Sequence, residues 1–427
     1  MGPRRTRLLV GVAASTLLHG TAACTGQEAP AETGTPAEPP AVELAPEGAP
    51  ESMSVGVVVS LTSAPGEGAQ WNEAAEGAQV AADRYGLGDV DVSIVPRDDK
   101  GTAQGAEAAV RSLADEGVSG IVMATEGDHV DGALAAASDL GVPVLLPYAE
   151  QVGELPEGVW LTGADAGQVS TTLNAALESA GASRPAIVDA GGTRVDVDEA
   201  GTLTLRGGDD AAAVATRVAR LSRSAARADS VVVSGPAELQ ARAVQALQER
   251  NVPLPVFLTG DAVSPAFSAA LEESGGSLSA SLTTAGLDTD DVAALAPGSE
   301  GAAVSAYLAA LRTTAEDGDV TDYFDDEKFE TVAGAADARS HDAVVALVTA
   351  AAAAGSADPA AVRDALSGLT ADQGDGLAGP ALDFTAAPVA VADDAVVPLK
   401  ATTQDPGLRP VDRSGAPRLY WFESPTA

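Results

Sequence analysis

From residue 54 onward, short apolar runs alternate with Ala-rich amphipathic stretches, and this alternation confines the chain to a parallel sheet flanked by helices. The runs Val55 to Leu61, Val90 to Val95, Gly120 to Ala124 and Val144 to Leu146 are mostly apolar, interrupted only by Ser60, Asp91 and Ser93. Strands buried on both faces read this way, whereas half-exposed strands alternate with polar residues. Between them the pattern predicts helices at about Asn72 to Tyr85 and Ala103 to Glu116, the latter with Ala106, Val110 and Leu113 on one face. Parallel strands joined through helices require right-handed crossovers. In such sheets ligands bind outside the carboxyl ends of the strands, where loop amides and helix amino termini converge. Thr125, Glu126 and Gly127 follow one strand, and Tyr148, Ala149 and Glu150 follow the next. These six are the first candidates for a binding surface.

A second run of the same kind follows Trp160. Helices are predicted at about Ala166 to Ser179, Ala211 to Arg227 and Glu238 to Arg250, with strands at Pro185 to Val188, Ser230 to Val233 and Val256 to Leu258. The remaining third carries strand signals at Ser277 to Leu282, Ala381 to Phe384, Val396 to Lys400 and Leu419 to Phe422, and helices at about Ser299 to Ala315, Ser340 to Ala354 and after Pro359. Two α/β units in tandem predict two lobes with a ligand cleft between them.

The amino terminus addresses the compartment. Arg4, Arg5 and Arg7 precede the apolar run Leu8 to Leu18, too short to span a bilayer but matching a secretory signal over residues 1–23. Thr21-Ala22-Ala23-Cys24 resembles a bacterial lipobox, with Thr21 in place of the usual aliphatic residue, and Cys24 is the only cysteine in the chain. Lipidation of Cys24 is therefore expected, and an intrachain disulfide is impossible. Residues 24–53, rich in Pro, Ala and Glu without apolar periodicity, are expected to form a disordered tether. A formal net charge of -38 argues against nucleic acid or an anionic membrane surface as partner.

The order and spacing of these elements resemble the type I periplasmic binding proteins, in particular the branched-chain amino acid (Leu/Ile/Val) binding family of ABC transporters. The similar passages are Val55 to Gly86, Val92 to Tyr148, Asp229 to Asp261, and His341 through Asp358 to Leu366 and on to Gly379 to Phe384. The resemblance implies two lobes crossed three times by the chain: 54–162 with 285–385 as lobe 1, and 163–284 with 386–427 as lobe 2. It also implies an extracytoplasmic lipoprotein, anchored by lipid to the outer face of the cytoplasmic membrane, that delivers a small solute to a permease. A monomer without cofactor is expected.

Catalytic parts are scarce. There is no Gly-x-Ser-x-Gly elbow, no His-Glu-x-x-His and no Gly-Lys-Ser/Thr loop, and His129 and His341 lie on predicted helices away from any nucleophile. Three acidic clusters, Asp196/Asp198/Glu199, Asp288/Asp290/Asp291 and Asp322/Asp325/Asp326/Glu327, lack the Gly and terminal Glu of an EF-hand and read as solvated surface. No enzyme and no metal site are expected.

In the resembled family a ligand carboxylate is held after the third and fourth strands, its ammonium by an acid of the second lobe, and its side chain by aromatic residues. Thr125 matches the first hydroxyl position, beside Glu126 and Gly127. Leu146-Pro147-Tyr148-Ala149-Glu150 departs from the usual Ser-Pro turn at every position but Pro147 and Ala149. Glu150 places negative charge where a ligand carboxylate would sit, at a cost of several kcal/mol if unpaired. Asp261 matches the ammonium-binding acid or else caps the next helix; Ser234 ends the neighbouring strand; Trp71 matches a cleft aromatic or else packs in the core. Between Val188 and Thr202 the family's helix and aromatic residue are missing, which leaves Asp189, Arg194 or Asp196 to face the gap. Two functions follow as expectations: capture of a cationic or polyhydroxylated solute, or an envelope sensor or scaffold that transports nothing.

Overall fold

The computed structural model describes residues 41–63, 68–150, 153–225, 227–278, 281–324, 327–410 and 418–423. The signal segment, Cys24 and most of the tether lie outside them, as do Asp325 and Asp326 of the third acidic cluster.

The chain begins with β1 (Ser52–Val59), two 3-10 turns at Ala69–Trp71 and Ala74–Glu76, and α1 (Gly77–Leu87). It continues through β2 (Asp91–Asp98), α2 (Ala103–Glu116), β3 (Gly120–Met123), α3 (Asp131–Leu140), β4 (Val144–Leu146) and β5 (Val159–Leu161). These strands form one five-stranded parallel sheet in the order β2-β1-β3-β4-β5. Its two faces are read directly from the sequence alternation. Val55, Val57, Val59 and Val122 pack on one side with α1, and Val58, Ile121 and Met123 on the other with α2 and α3.

The second half runs α4 (Ala166–Ser179), β6 (Pro185–Asp189), β7 (Gly201–Thr204), α5 (Ala211–Arg223), β8 (Ser230–Ser234), α6 (Ala237–Glu249), β9 (Val256–Leu258), α7 (Pro265–Glu273) and β10 (Leu282–Leu287). Then come α8 (Ser299–Glu316), α9 (Phe329–Val332), α10 (Ala338–Ala354), α11 (Pro359–Leu366), β11 (Thr370–Ala371), β12 (Leu382–Asp383), β13 (Val396–Thr402) and β14 (Tyr420–Glu423). The second sheet has the order β14-β13-β10-β9-β8-β6-β7, with β13 and β14 antiparallel to their neighbours. Again the faces alternate: Val231 and Val233 meet α5 and α6, while Val232 meets Val169 and Leu173 of α4. The two-lobed α/β architecture is thus present, with α10 returning to the first sheet, where Ala343 to Ala351 pack on β1 and α1.

Local expectations shift where side chains or close approaches intervene. The third-part strand starts at Leu282, not Ser277, and it stays in the second sheet to Leu287 beyond the expected 284/285 junction. The first helix is delayed to Gly77, where a Cβ would collide with the Asp337 carbonyl.

Two further findings alter the reading of composition. Residues 41–51 of the expected tether are docked on the first lobe: Leu44 is buried, its N–H donates to the Arg84 carbonyl (2.9 Å), and Arg84 Nε donates to the Val42 carbonyl (2.8 Å). Asp290 and Asp291 are not solvated. Asp291 is buried and Asp290 half-buried against Arg409 and Arg418, with Arg409 Nε 2.6 Å from Asp291 Oδ1 and Arg418 Nη2 2.9 Å from Asp290 Oδ1. Burial pushes Asp290 up, but the two guanidinium groups outweigh it and hold it below the usual carboxylate range.

Candidate functional site

Between the sheets lies a cavity of about 780 Å³, bordered by Trp71, Tyr148, Glu150 and Arg339 of the first lobe and by Val263 and Leu399 of the second. A smaller cavity of about 350 Å³ sits between α1 and α8, away from the cleft.

The floor of the cleft is set by strand ends. Thr125 after β3 is fully buried and its hydroxyl shares a hydrogen bond with Ser60 Oγ (2.7 Å), which itself donates to Asp99 Oδ1 (2.6 Å). Gly68, at φ 90°, lets the turn carrying Gln70 and Trp71 lie directly on Thr125, where a Cβ would strike the hydroxyl. The turn delivers Trp71 Nε1 (2.8 Å) and Gln70 Nε2 (2.7 Å) to the same oxygen, Glu126 Oε1.

Trp71 and Tyr148 stack with centroids 4.6 Å apart at 8°, and the Arg339 guanidinium carbon lies 4.6 Å from each ring centre. Tyr148 OH donates to Asp337 Oδ1 (2.8 Å), and Arg339 pairs with Asp337 Oδ2 at 2.9 Å. Arg339 occupies the first turn of α10, the end at which a helix disfavours a cation. Its place is explained instead by the carboxylates around it.

Glu150 reaches across the cleft. Its Oε2 accepts from Thr193 Oγ1 (2.6 Å), and its carboxylate also accepts from the Gly260 N–H, where only a glycine leaves room for it. Glu126 and Glu150 are half-buried. Burial is the first cause that pushes Glu126 up to about 8, reinforced by Glu150 and opposed by the Trp71 and Gln70 donors and by Arg339. Burial also lifts Glu150 to about 7 against its Thr193 bond and Arg339. Asp261 is raised well above the usual range by burial and then by Glu126 and Glu150. Three carboxylates therefore converge on one place, from two lobes.

Of the residues singled out in the sequence, Trp71, Tyr148 and Glu150 border the cavity, while Glu126 and Asp261 stand behind Gln70. Thr125, Gly127, Ala149 and Ser234 are outside its lining; Ala149 packs in the first core, and Ser234 is buried at the end of β8. The cap of α7 is Ser264, which accepts from the Ala266 N–H, and Asp261 lies in the preceding 3-10 turn. The gap left by the missing helix is filled by none of the three expected residues. Arg194 and Asp196 are exposed and Asp189 faces Arg206 at 3.6 Å; buried Thr193 points inward instead. Gln70, Thr193 and Arg339 were missed by sequence reasoning. Gln70 adjoined the flagged Trp71, and Thr193 fell inside the flagged gap. Arg339 carried one signal, a cation at a helix start.

Among the described residues no group of His, Cys, Asp and Glu is arranged to hold a metal ion. The periplasmic binding protein family matches residues 52–402, and the chain belongs to that family. It is an extracytoplasmic solute-binding protein of the substrate-binding family of ABC transporters, and its family binds solutes without transforming them. No curated protein sequence matches it. Solved structures share the fold. The branched-chain amino acid transporter substrate binding protein LivJ from Streptococcus pneumoniae, in complex with isoleucine, is 16% identical over 82% of this chain and 96% of its own, with a TM-score of 0.60. An ABC transporter solute binding protein from Rhodopseudomonas palustris, in complex with 4-hydroxybenzoate, is 15% identical over 87% and 97%, with a TM-score of 0.60. An ABC transporter substrate-binding protein from Sphaerobacter thermophilus is 14% identical over 87% and 97%, with a TM-score of 0.62.

Proposed function

We propose that the cleft captures a small polar solute that brings positive charge or several N–H or O–H donors to Glu126, Glu150 and Asp261, and that closure of the lobes around it presents it to a membrane permease. The observation that carries this reading is the convergence of three carboxylates in a partly buried cleft where Arg339, already paired with Asp337, is the nearby cation acting on Glu126 and Glu150. Acids held above their usual range gain most from a ligand that lets them ionise. A solute carboxylate gains least, so isoleucine and 4-hydroxybenzoate, bound by two structural neighbours, are expected to be poor ligands here.

In this reading 54–162 with about 288–391 forms one lobe and 163–287 with about 392–427 the other. Cys24 carries a lipid, and the protein works as a monomer. A thermal-shift screen of amines, cationic peptides, polyols and apolar amino acids tests the solute class. Stabilisation by amines or polyols is expected; stabilisation by Leu or Val with none by amines, cationic peptides or polyols would overturn it.

The second reading, a sensor or scaffold with no transported solute, is favoured by one observation. The lobes are joined directly by the protein's own groups, through Glu150 to Thr193 and through Gln70 to Ala237. A flat solute screen together with a stable protein partner from the envelope would favour it.

A further inference from the structure

Gln70 makes more polar contacts across the cleft than a packing residue requires. Its Oε1 accepts from the Ala237 N–H (3.1 Å), the first amide of α6, and its Nε2 donates to Glu126 Oε1 (2.7 Å). Its main-chain carbonyl accepts from Ser264 Oγ (2.7 Å), and its side chain also bonds Asp261. Helix α6 has Pro236 at its N-cap and no side-chain cap of its own, so an amide that would otherwise be unpaired is satisfied from the opposite lobe. The residue is 6% exposed and borders the cavity.

We propose that the Gln70 carboxamide is a built-in occupant of the polar subsite formed by Glu126, Asp261 and the α6 amide, and that a solute enters by replacing it with a planar carboxamide or urea-like group of its own. This rests on reading the cleft as a solute site. The chemistry follows from the partners. An ammonium group satisfies Glu126 and Asp261 but leaves the Ala237 N–H unpaired, and a carboxylate pairs with that N–H but meets Glu126. A carboxamide offers N–H to the acid and C=O to the amide in one plane, as Gln70 does. Positive charge elsewhere on the solute then answers Glu150, whose ends are held by Thr193 and Gly260.

The test is chemical rescue in the full folded protein. Gln70→Ala removes the occupant and leaves its space, Gln70→Ser does the same if the Ala protein is recovered poorly, and Gln70→Met removes the bonds but fills the space. Melting and small-angle X-ray scattering are followed while acetamide, or N,N-dimethylacetamide as the control lacking N–H, is titrated. Gln70→Ala is expected to open the lobes and to be closed and stabilised by acetamide at a concentration on the order of tenfold below any effect on the wild type, with no response to the dimethyl compound and none in Gln70→Met. Equal responses of wild type and Gln70→Ala, or equal effects of the two amides, overturn the proposal. The solute screen is run separately on the wild type, so a failed rescue beside a successful screen removes Gln70's role and leaves the solute reading standing.

Discussion

Replacing Glu150 by Gln isolates the charge that most distinguishes this cleft. In the unfolded chain the carboxyl ionises near 4.5, and in the native cleft burial delays this to about 7. Between those values the native protein holds a proton that the unfolded chain has lost, so stability falls as pH rises through the window and levels off above it. One proton of difference is worth about 1.4 kcal/mol per pH unit, or about 3 kcal/mol across the whole window. Gln removes that slope. It also turns an amide N–H₂ toward one of two groups that donate to Glu150, Thr193 Oγ1 or the Gly260 N–H, which costs about 1 kcal/mol at any pH. The variant is therefore expected to be about 1 kcal/mol less stable than wild type at pH 4 and below, about equal to it near pH 5 and about 2 kcal/mol more stable at pH 8, so that the curves cross. Urea unfolding followed by circular dichroism over that range measures both. Curves that stay parallel would refute the argument, because they would mean that Glu150 titrates in the native cleft as it does in the unfolded chain.

Other expectations are narrower. Binding of a cationic solute at pH 7 should release about one proton as the raised acids ionise, so the calorimetric enthalpy should change with the ionisation enthalpy of the buffer; no buffer dependence would count against the carboxylates as the contact. Arg409→Met leaves Asp291 buried without its closest cation and should cost about 3–5 kcal/mol in urea unfolding, whereas a loss below about 1 kcal/mol would mark the pair as solvated. Arg84→Met removes the donors to the Ala41, Val42 and Gly376 carbonyls. It should free residues 41–51 for protease cleavage and cost about 2–3 kcal/mol, and an unchanged digestion pattern would refute the docking.

The fold was legible because its signal is periodic and redundant. Val55 to Val59 of β1 and the whole of β3, β4 and β5 are uninterrupted apolar runs, with only β2 alternating, and burial on both faces leaves Val55 to Val59 no other stable use. The site was legible only where it depends on position along the chain. Trp71, Glu126, Tyr148, Glu150 and Asp261 sit at strand ends or helix starts, and the alternation itself points there. What escaped is what depends on distance in space. Nothing local in Asp290 and Asp291 announces Arg409 and Arg418, more than a hundred positions later, so an acidic cluster in an acidic chain was read as surface. Leu44 is similar: an apolar residue in a stretch of prolines and glutamates gains its meaning only from the surface it covers, where a Cβ at Gly376 would collide with its side chain.

Thr193 and Glu150 show why two departures from a family pattern need not be independent. Read along the chain, the acid in the fourth-strand turn and the short segment between β6 and β7 are separate anomalies, one electrostatic and one steric. In space they meet at 2.6 Å. An acid at position 150 pointed into a cleft walled by a full helix would keep only the Gly260 N–H on its far side, and its second oxygen would be desolvated without a donor. Shortening that wall brings in a buried hydroxyl and supplies the donor. The pairing makes the acid tolerable without neutralising it, since a threonine hydroxyl brings no charge, and so the demand for positive charge passes to a proton or to the solute. Thr193→Val puts this to the test with the hydroxyl alone removed. Glu150 should then ionise later still and the stability slope should extend above pH 7, with a loss of about 1–2 kcal/mol at pH 8. If the slope keeps its wild-type range, the hydroxyl is not what holds the carboxylate, and the two departures are unrelated after all.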